Sequence, residues 1–140
     1  MNVIALPNHM NFLRRFHLNN PVGNKGEDIA VDFLKRSGFR ILERNYKNKS
    51  GRALGEVDIV AQDGGELVFV EVKAREAKQG KEVFPEENIT AGKLRKLARI
   101  AEGYVREKKR ELSPYRFDAV LIVFREGAEP EIRHWRSIFL

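Results

Sequence analysis

Cysteine is absent from the 140 residues, and there are only one tryptophan, two methionines and three histidines. Without cysteine there is no disulfide, zinc–thiolate site, iron–sulfur cluster or thiol nucleophile. The same absence fits a reducing compartment, so a cytoplasmic location is expected. His9, His17 and His134 show no metal-ligand spacing, and His134 beside Trp135 reads as a packed or rim feature of the last strand. No window approaches the roughly 18 consecutive apolar residues of a membrane span. Near the start, the apolar piece Val3–Leu6 is cut off by Pro7, and Arg14 and Arg15 follow it instead of preceding it. That is the reverse of a secretion signal. Gly23–Gly26 is not a phosphate loop, since neither a GxGxxG nor a Walker pattern is present. No internal repeat or low-complexity tract occurs.

What the chain does have is charge. Lys and Arg number 26 against 20 Asp and Glu, giving a formal net charge of +6 and a pI near 9.7. The hydrophobic fraction of 42% is ordinary for a packed core. Length and composition together predict one domain over residues 20–140, preceded by a lead-in over residues 1–19 that either packs as a short arm or stays loose. The positive balance points to a polyanionic partner. No membrane partner is expected.

Along the chain, Asn20 can cap a helix near Val22–Ser37, with Pro21 at its first position and Gly38 after its end. Ile29, Ala30, Phe33 and Leu34 fall at helical spacing within it. A strand near Arg40–Tyr46 follows, then a basic polar loop over Lys47–Ala53. Leu54–Gln62 and Glu66–Ala74 read as two strands joined by Asp63-Gly64-Gly65. Glu76–Ile89 is a long polar loop, a length that suits mobility or substrate contact. Thr90 can cap a helix running to about Arg110, whose apolar stripe is Leu94, Leu97, Ala98, Ala101, Tyr104 and Val105; Ser113-Pro114 stops it. Arg116–Phe124 is an almost continuous apolar strand of the kind buried on both faces, and Glu131–Arg136 is the last strand. The predicted order is α-β-β-β-α-β-β, with a right-handed βαβ crossover that makes the strands on either side of the long helix parallel.

The hairpin contains a conflict. If Gly64 and Gly65 form a two-residue turn, Asp63 faces Glu66, Asp58 faces Glu71 and Glu56 faces Lys73. Alternation then places Val57, Ile59, Ala61, Val68, Val70 and Val72 on one apolar face. The other face begins with Val60 and Phe69 and ends in Glu56, Asp58, Glu71 and Lys73. Like charges directly opposed across a ladder are destabilising. Relief comes from a cation between Asp58 and Glu71, or from a proton on one of them. A hard divalent ion such as Mg²⁺ suits two carboxylates, and Lys73 could reach a group bound to it. Glu27 extends the helical stripe of Ala30 and Leu34 toward the core side, where a carboxylate needs a partner. The alternative is a solvated sheet face carrying a Glu56–Lys73 ion pair.

Lys93–Arg110 holds eight basic residues against Glu102 and Glu107, an excess equal to the charge of the whole chain and one less if Glu111 is included. Arg95, Arg99, Arg106 and Lys109 share one helical face, which is either a phosphate-tracking surface or a solvated exterior. Lys93, near the helix start, is placed to approach the carboxylates. Arg75 extends the face of Glu71 and Lys73, for substrate contact or an ion pair. Asp118 interrupts a buried strand and needs a partner, a structural bond being the first reading and catalysis the second.

Glu27, Gly55-Glu56-Val57-Asp58 and Glu71-Val72-Lys73, in that order, resemble the PD-(D/E)xK nuclease superfamily. The chain is more closely similar to the YraN-like family of restriction-endonuclease-like proteins. The similarity is carried by Gly26-Glu27, by Gly55-Glu56-Val57-Asp58-Ile59-Val60, by Val68-Phe69-Val70-Glu71-Val72-Lys73-Ala74-Arg75 and by Tyr115-Arg116-Phe117-Asp118, and it extends from about Gly23 to Phe139. Val57 stands where the superfamily pattern has proline. The resemblance implies an αβββαβ core with a mixed central sheet flanked by helices. It implies a Mg²⁺ site, with Mn²⁺ as substitute, held by Asp58, Glu71 and the main-chain carbonyl of Val72 and assisted by Glu27. It further implies that Lys73 positions or activates the attacking water or stabilises the pentavalent phosphorus. The expected substrate class is DNA, branched or damaged DNA included, and its candidate contacts are the basic residues singled out by charge and position: Arg75, Lys93, Arg95, Lys96 and Arg99. By analogy a homodimer suits junction-type substrates. The competing expectations are a nucleic-acid-binding module that keeps this fold without turnover, and a purely structural protein with the basic helix as surface.

Overall fold

The computed structural model describes residues 2–4, 22–48, 55–77 and 90–138. Its elements are β1 (Asn2–Ile4), α1 (Val22–Arg36), β2 (Arg40–Lys47), β3 (Glu56–Asp63), β4 (Glu66–Glu76), α2 (Ala91–Glu107), β5 (Tyr115–Phe124) and β6 (Glu131–Trp135). The sequence α1-β2-β3-β4-α2-β5 is the expected αβββαβ core. The six strands form one mixed sheet in the order β1-β6-β5-β4-β3-β2. Among the described residues only β4 and β5 pair in parallel, as the crossover through α2 requires, and every other pair is antiparallel.

Local chemistry accounts for the boundaries. Helix α1 closes where Gly38 adopts φ 91°, letting Phe39 N–H return to the Leu34 carbonyl at 3.0 Å. The expected caps Asn20 and Pro21 lie outside the described residues. Helix α2 starts on Thr90, whose hydroxyl accepts the Lys93 N–H at 3.2 Å. It ends at Glu107, short of the expected Arg110, because Lys109 turns left-handed at φ 53° and Arg110 N–H closes back on the Val105 carbonyl at 2.7 Å. Lys109 is therefore not on the helical face it was expected to share with Arg95, Arg99 and Arg106. Both loops expected to be polar fall largely outside the described residues, at 49–54 and 78–89. So does most of the lead-in, but Asn2–Ile4 forms an edge strand on β6.

Two hydrophobic clusters sandwich the sheet. On one face α1 sets Ile29, Ala30, Phe33 and Leu34 against Ile59, Ala61, Val68, Val70, Val72, Val120 and Ile122. On the other, α2 sets Leu94, Leu97, Ile100, Ala101, Tyr104 and Val105 against Val60, Leu67 and Phe69. Strand β5 is covered on both faces, with Asp118 through Val123 all buried, as its apolar run predicted. Helix α1 reaches β4 closely because Gly26 has no side chain: a Cβ there would lie 2.5 Å from the Ala74 Cβ.

Candidate metal and phosphate site

The Gly-Gly turn sets the predicted register. Asp63 faces Glu66, Val60 faces Phe69 and Ile59 faces Val70. There the registered ladder ends, so Asp58 and Glu71 are not ladder partners, nor are Glu56 and Lys73. Glu56 pairs across the other side of β3 with Lys47 and forms its ion pair there, at 3.3 Å. The Glu56–Lys73 ion pair is thus not what forms.

The backbone beside Asp58 is irregular, and β2 also shifts register against β3 between Ile41 and Glu43. Asn45, on the neighbouring β2, sits at φ 50°, a conformation that Asn tolerates better than most residues. Around it the β2–β3 register runs from Arg44↔Ile59 to Tyr46↔Val57. Strict alternation would place Val57 with Ile59 and Ala61 against α1. Instead Val57 packs with Tyr46 and Val60 in the α2 cluster. The expected assignment of Val57 to the α1-facing set is therefore corrected: β3 twists at Asp58 and parts from β4.

That parting lets the Asp58 side chain take over a backbone role. Its Oδ2 accepts the Val72 N–H at 2.7 Å. The carboxyl is pushed up to about 7, first by burial and then by the Glu71 charge; Glu27 adds to the shift, while Val72 N–H and Lys73 oppose it. Glu71 Oε1 lies 3.1 Å from Lys73 Nζ and 3.0 Å from Lys93 Nζ. Burial works against the Lys73 ammonium, but its contacts with Lys93 and Glu71 carry its pKa above the ordinary value. Lys93 is held below its ordinary value by burial and by Lys73 beside it. Two ammonium groups sharing one carboxylate oxygen repel each other, and the less favoured one yields its proton more readily.

The clash seen in the sequence therefore persists in the fold. Glu71 is neutralised by lysines, while Asp58 holds the Val72 amide and keeps an elevated pKa. Glu27 is close enough to be felt by Asp58, yet its ion-pair contact is Arg44, at 3.8 Å, and Arg44 also binds Asp28 at 2.7 Å. No group of three or more metal-capable side chains converges among the described residues. Asp58, Glu71 and the Val72 carbonyl nevertheless form an all-oxygen donor set. Oxygen donors of this kind are what a hard divalent ion takes, with water and phosphate completing its shell, and a cation nearby would offset the burial and the Glu71 and Glu27 charges that raise the Asp58 pKa.

Each of the other expected contacts is placed by its own element. Arg75 is exposed beyond Lys73, and its guanidinium donates to the Ala74 carbonyl at 3.1 Å. Arg95, Lys96 and Arg99 follow Lys93 along α2, and all three are exposed. Asp118 is fully buried and takes the structural reading. It accepts from Arg116 at 3.0 Å and from Ser137 N–H at 2.9 Å, and lies 2.9 Å from His134 Nε2. Arg116 continues to Asp63 at 2.9 Å and Glu66 at 2.6 Å, tying the hairpin turn to β5. His134 is accordingly packed, against Phe33 and Phe39. Sequence reasoning missed Arg44, whose strand offers no pattern that marks it. It also missed the twist at Asp58, for which Asn45 was the available signal.

The uncharacterised protein family UPF0102 matches residues 26–122, from the start of the α1 contact with β4 to the buried centre of β5. A UPF0102 protein of Caldicellulosiruptor saccharolyticus is 49% identical over 100 residues, covering 71% of this chain and 79% of that protein. One from Renibacterium salmoninarum is 42% identical over 117 residues, covering 84% and 94%. Among solved structures the chain is similar to the 1.6 Å structure of Archaeoglobus fulgidus Hjc, a Holliday junction resolvase from an archaeal hyperthermophile. The TM-score is 0.44 at 18% identity, with 79% of this chain and 72% of that chain covered. Among the described residues no helix is long and apolar enough to cross a membrane.

Proposed function

The chain belongs to the UPF0102 family, the YraN family, and from the geometry of its site we propose that it is a metal-dependent nuclease hydrolysing phosphodiester bonds in DNA, branched or damaged DNA in particular. One observation carries the reading: where β3 leaves β4, Glu71 gathers Lys73 and Lys93 on one oxygen, while Asp58, which feels the Glu71 charge, accepts the N–H of the next residue, Val72. In this reading Asp58, Glu71 and the Val72 carbonyl hold Mg²⁺ or Mn²⁺, with Glu27 behind them. When bound, the ion polarises a phosphoryl oxygen and lowers the pKa of its water. Lys73 sets positive charge where negative charge grows on the phosphoryl group. Arg75, Lys93, Arg95, Lys96 and Arg99 take flanking phosphates. A cytoplasmic location and a homodimer on junction-type DNA complete the proposal.

The second reading is a binding module without turnover. It is favoured by the saturation of Glu71 with two lysines and by the basic face of α2. A cleavage assay separates the two. Linear, single-stranded, flapped and four-way DNA are incubated with Mg²⁺ or Mn²⁺, beside Asp58→Ala and Lys73→Ala. The nuclease reading expects cutting by the unaltered chain that falls by about 100-fold or more in each variant. No cutting, or equal cutting after both changes, refutes it; salt-sensitive binding that survives Asp58→Ala supports the module.

A further inference from the structure

Glu71 receives its two ammonium groups from different parts of the fold. Lys73 comes from the same strand, two residues on, and stays beside Glu71 wherever β4 goes. Lys93 comes from a separate element, 22 residues away along the chain, and reaches the same oxygen at 3.0 Å. It sits in the first turn of α2, where its own N–H is fixed by Thr90. Its side chain is the more exposed of the two, 38% against 26% for Lys73. Directly beyond it along α2 stand Arg95, Lys96 and Arg99.

We propose that Lys93 is an exchangeable counter-cation of Glu71. A divalent ion that takes the carboxylate displaces the Lys93 ammonium, which then binds a phosphate of nucleic acid lying along α2. The inference rests on the reading of Asp58 and Glu71 as a metal pair and adds to it a coupling between metal and phosphate. The physical reason is charge. A carboxylate oxygen that already holds Lys73 at 3.1 Å and Lys93 at 3.0 Å cannot also take a divalent cation without bringing four positive charges within a few ångströms, a strongly repulsive arrangement even at an effective dielectric of about 20, which the departure of one ammonium relieves. Lysine can yield because its charge rides on a flexible four-carbon stem. Outward movement carries the ammonium toward the basic face of its own helix, where a bound phosphate would receive it. Metal binding then frees Lys93 for phosphate, phosphate binding frees Glu71 for metal, and the two effects are equal by linkage.

The test uses the full chain and Lys93→Gln, a substitution that keeps helix propensity. Mn²⁺ binding without nucleic acid is read from the electron paramagnetic resonance signal of the free ion. Binding of a labelled four-way DNA is read by fluorescence anisotropy, in chelator and in Ca²⁺. Lys93→Gln is expected to bind Mn²⁺ about tenfold more tightly than the unaltered chain, because the competitor is gone. It is also expected to lose most of the tightening of DNA binding that Ca²⁺ gives the unaltered chain. Lys93→Arg, which keeps the charge, should not gain Mn²⁺ affinity. Mn²⁺ bound by the unaltered chain and equally or more weakly by Lys93→Gln overturns the exchange while leaving the metal pair standing. No Mn²⁺ binding by either protein overturns both.

Discussion

Replacing Gly26 by Ala tests how the fold places Glu27 beside the carboxylates. In an exposed helix interior this change stabilises by about 0.8–1 kcal/mol, because alanine has the better helix propensity. Here the sign should reverse. The new Cβ would lie 2.5 Å from the Ala74 Cβ, against the roughly 3.5–4.0 Å of an ordinary carbon contact. Neither atom is the far end of a flexible side chain, so α1 must lift from β4 by about 1 Å to restore that separation. Overpacking of this kind costs about 1–3 kcal/mol. Ala74→Gly removes the obstacle and supplies the control. With it, the nearest remaining neighbours of the new Cβ are Ala74 Cα at 3.7 Å and Ile122 Cγ1 at 3.9 Å, both normal distances. Urea unfolding of the four proteins gives a double-mutant cycle. Gly26→Ala alone should destabilise by about 1–3 kcal/mol, and in the Ala74→Gly background it should be neutral or stabilising, a coupling of at least about 1 kcal/mol. If Gly26→Ala stabilises the otherwise unaltered chain, or the coupling falls below about 0.5 kcal/mol, the close approach of α1 to β4 is wrong.

Asp118 carries a pH prediction. Burial alone would raise its pKa, but bonds to His134, Arg116 and the Ser137 N–H outweigh burial and hold it below the ordinary value. A depressed carboxylate contributes stability that is complete above the unfolded-state pKa of about 3.9 and is lost as pH falls through the lower folded value. Asp118→Asn should therefore cost about 3–5 kcal/mol near neutral pH, by leaving Arg116 underpaired. The gap in urea midpoint between the two proteins should narrow below about pH 4; a gap that does not change with pH would refute the assignment. On α2, Arg95→Gln, Lys96→Gln and Arg99→Gln together should weaken DNA binding and reduce the slope of log affinity against log salt by about 2–3, at roughly 0.9 for each duplex phosphate that is no longer neutralised. An unchanged slope would place the nucleic acid elsewhere.

Much of the architecture was legible because each element is marked by a local rule. The stripe of Ile29, Ala30, Phe33 and Leu34 names a helix. The Gly64-Gly65 turn fixes a register that the structure keeps as far as Ile59↔Val70. The apolar run ending at Phe124 names a strand covered on both sides. Strand Asn2–Ile4 was not legible, since three residues close to a proline carry no periodicity and the strand is defined by its pairing with β6. The early end of α2 was hidden for a different reason: a lysine at positive φ leaves no mark in composition.

At the site, legibility stopped where alternation stopped. The pattern of residues brought Asp58, Glu71 and Lys73 to one place by assuming a ladder that continues past Ile59, and the assumption fails at the residue of most interest. A regular ladder would have set Asp58 squarely across from Glu71, with both side chains fixed on the sheet face and Lys73 opposite Glu56. The twist at Asp58 gives a different arrangement from the same residues. Asp58 caps the freed Val72 N–H, Glu56 is drawn away to Lys47, and Lys73 is left to Glu71. Local rules that point the wrong way at one position are a common signature of a functional site, where packing regularity is given up for chemistry. Under the proposed nuclease reading the twist at Asp58 parts two strands that are otherwise paired and leaves room at their split for an ion between Asp58 and Glu71, with Lys93 brought to Glu71 from α2.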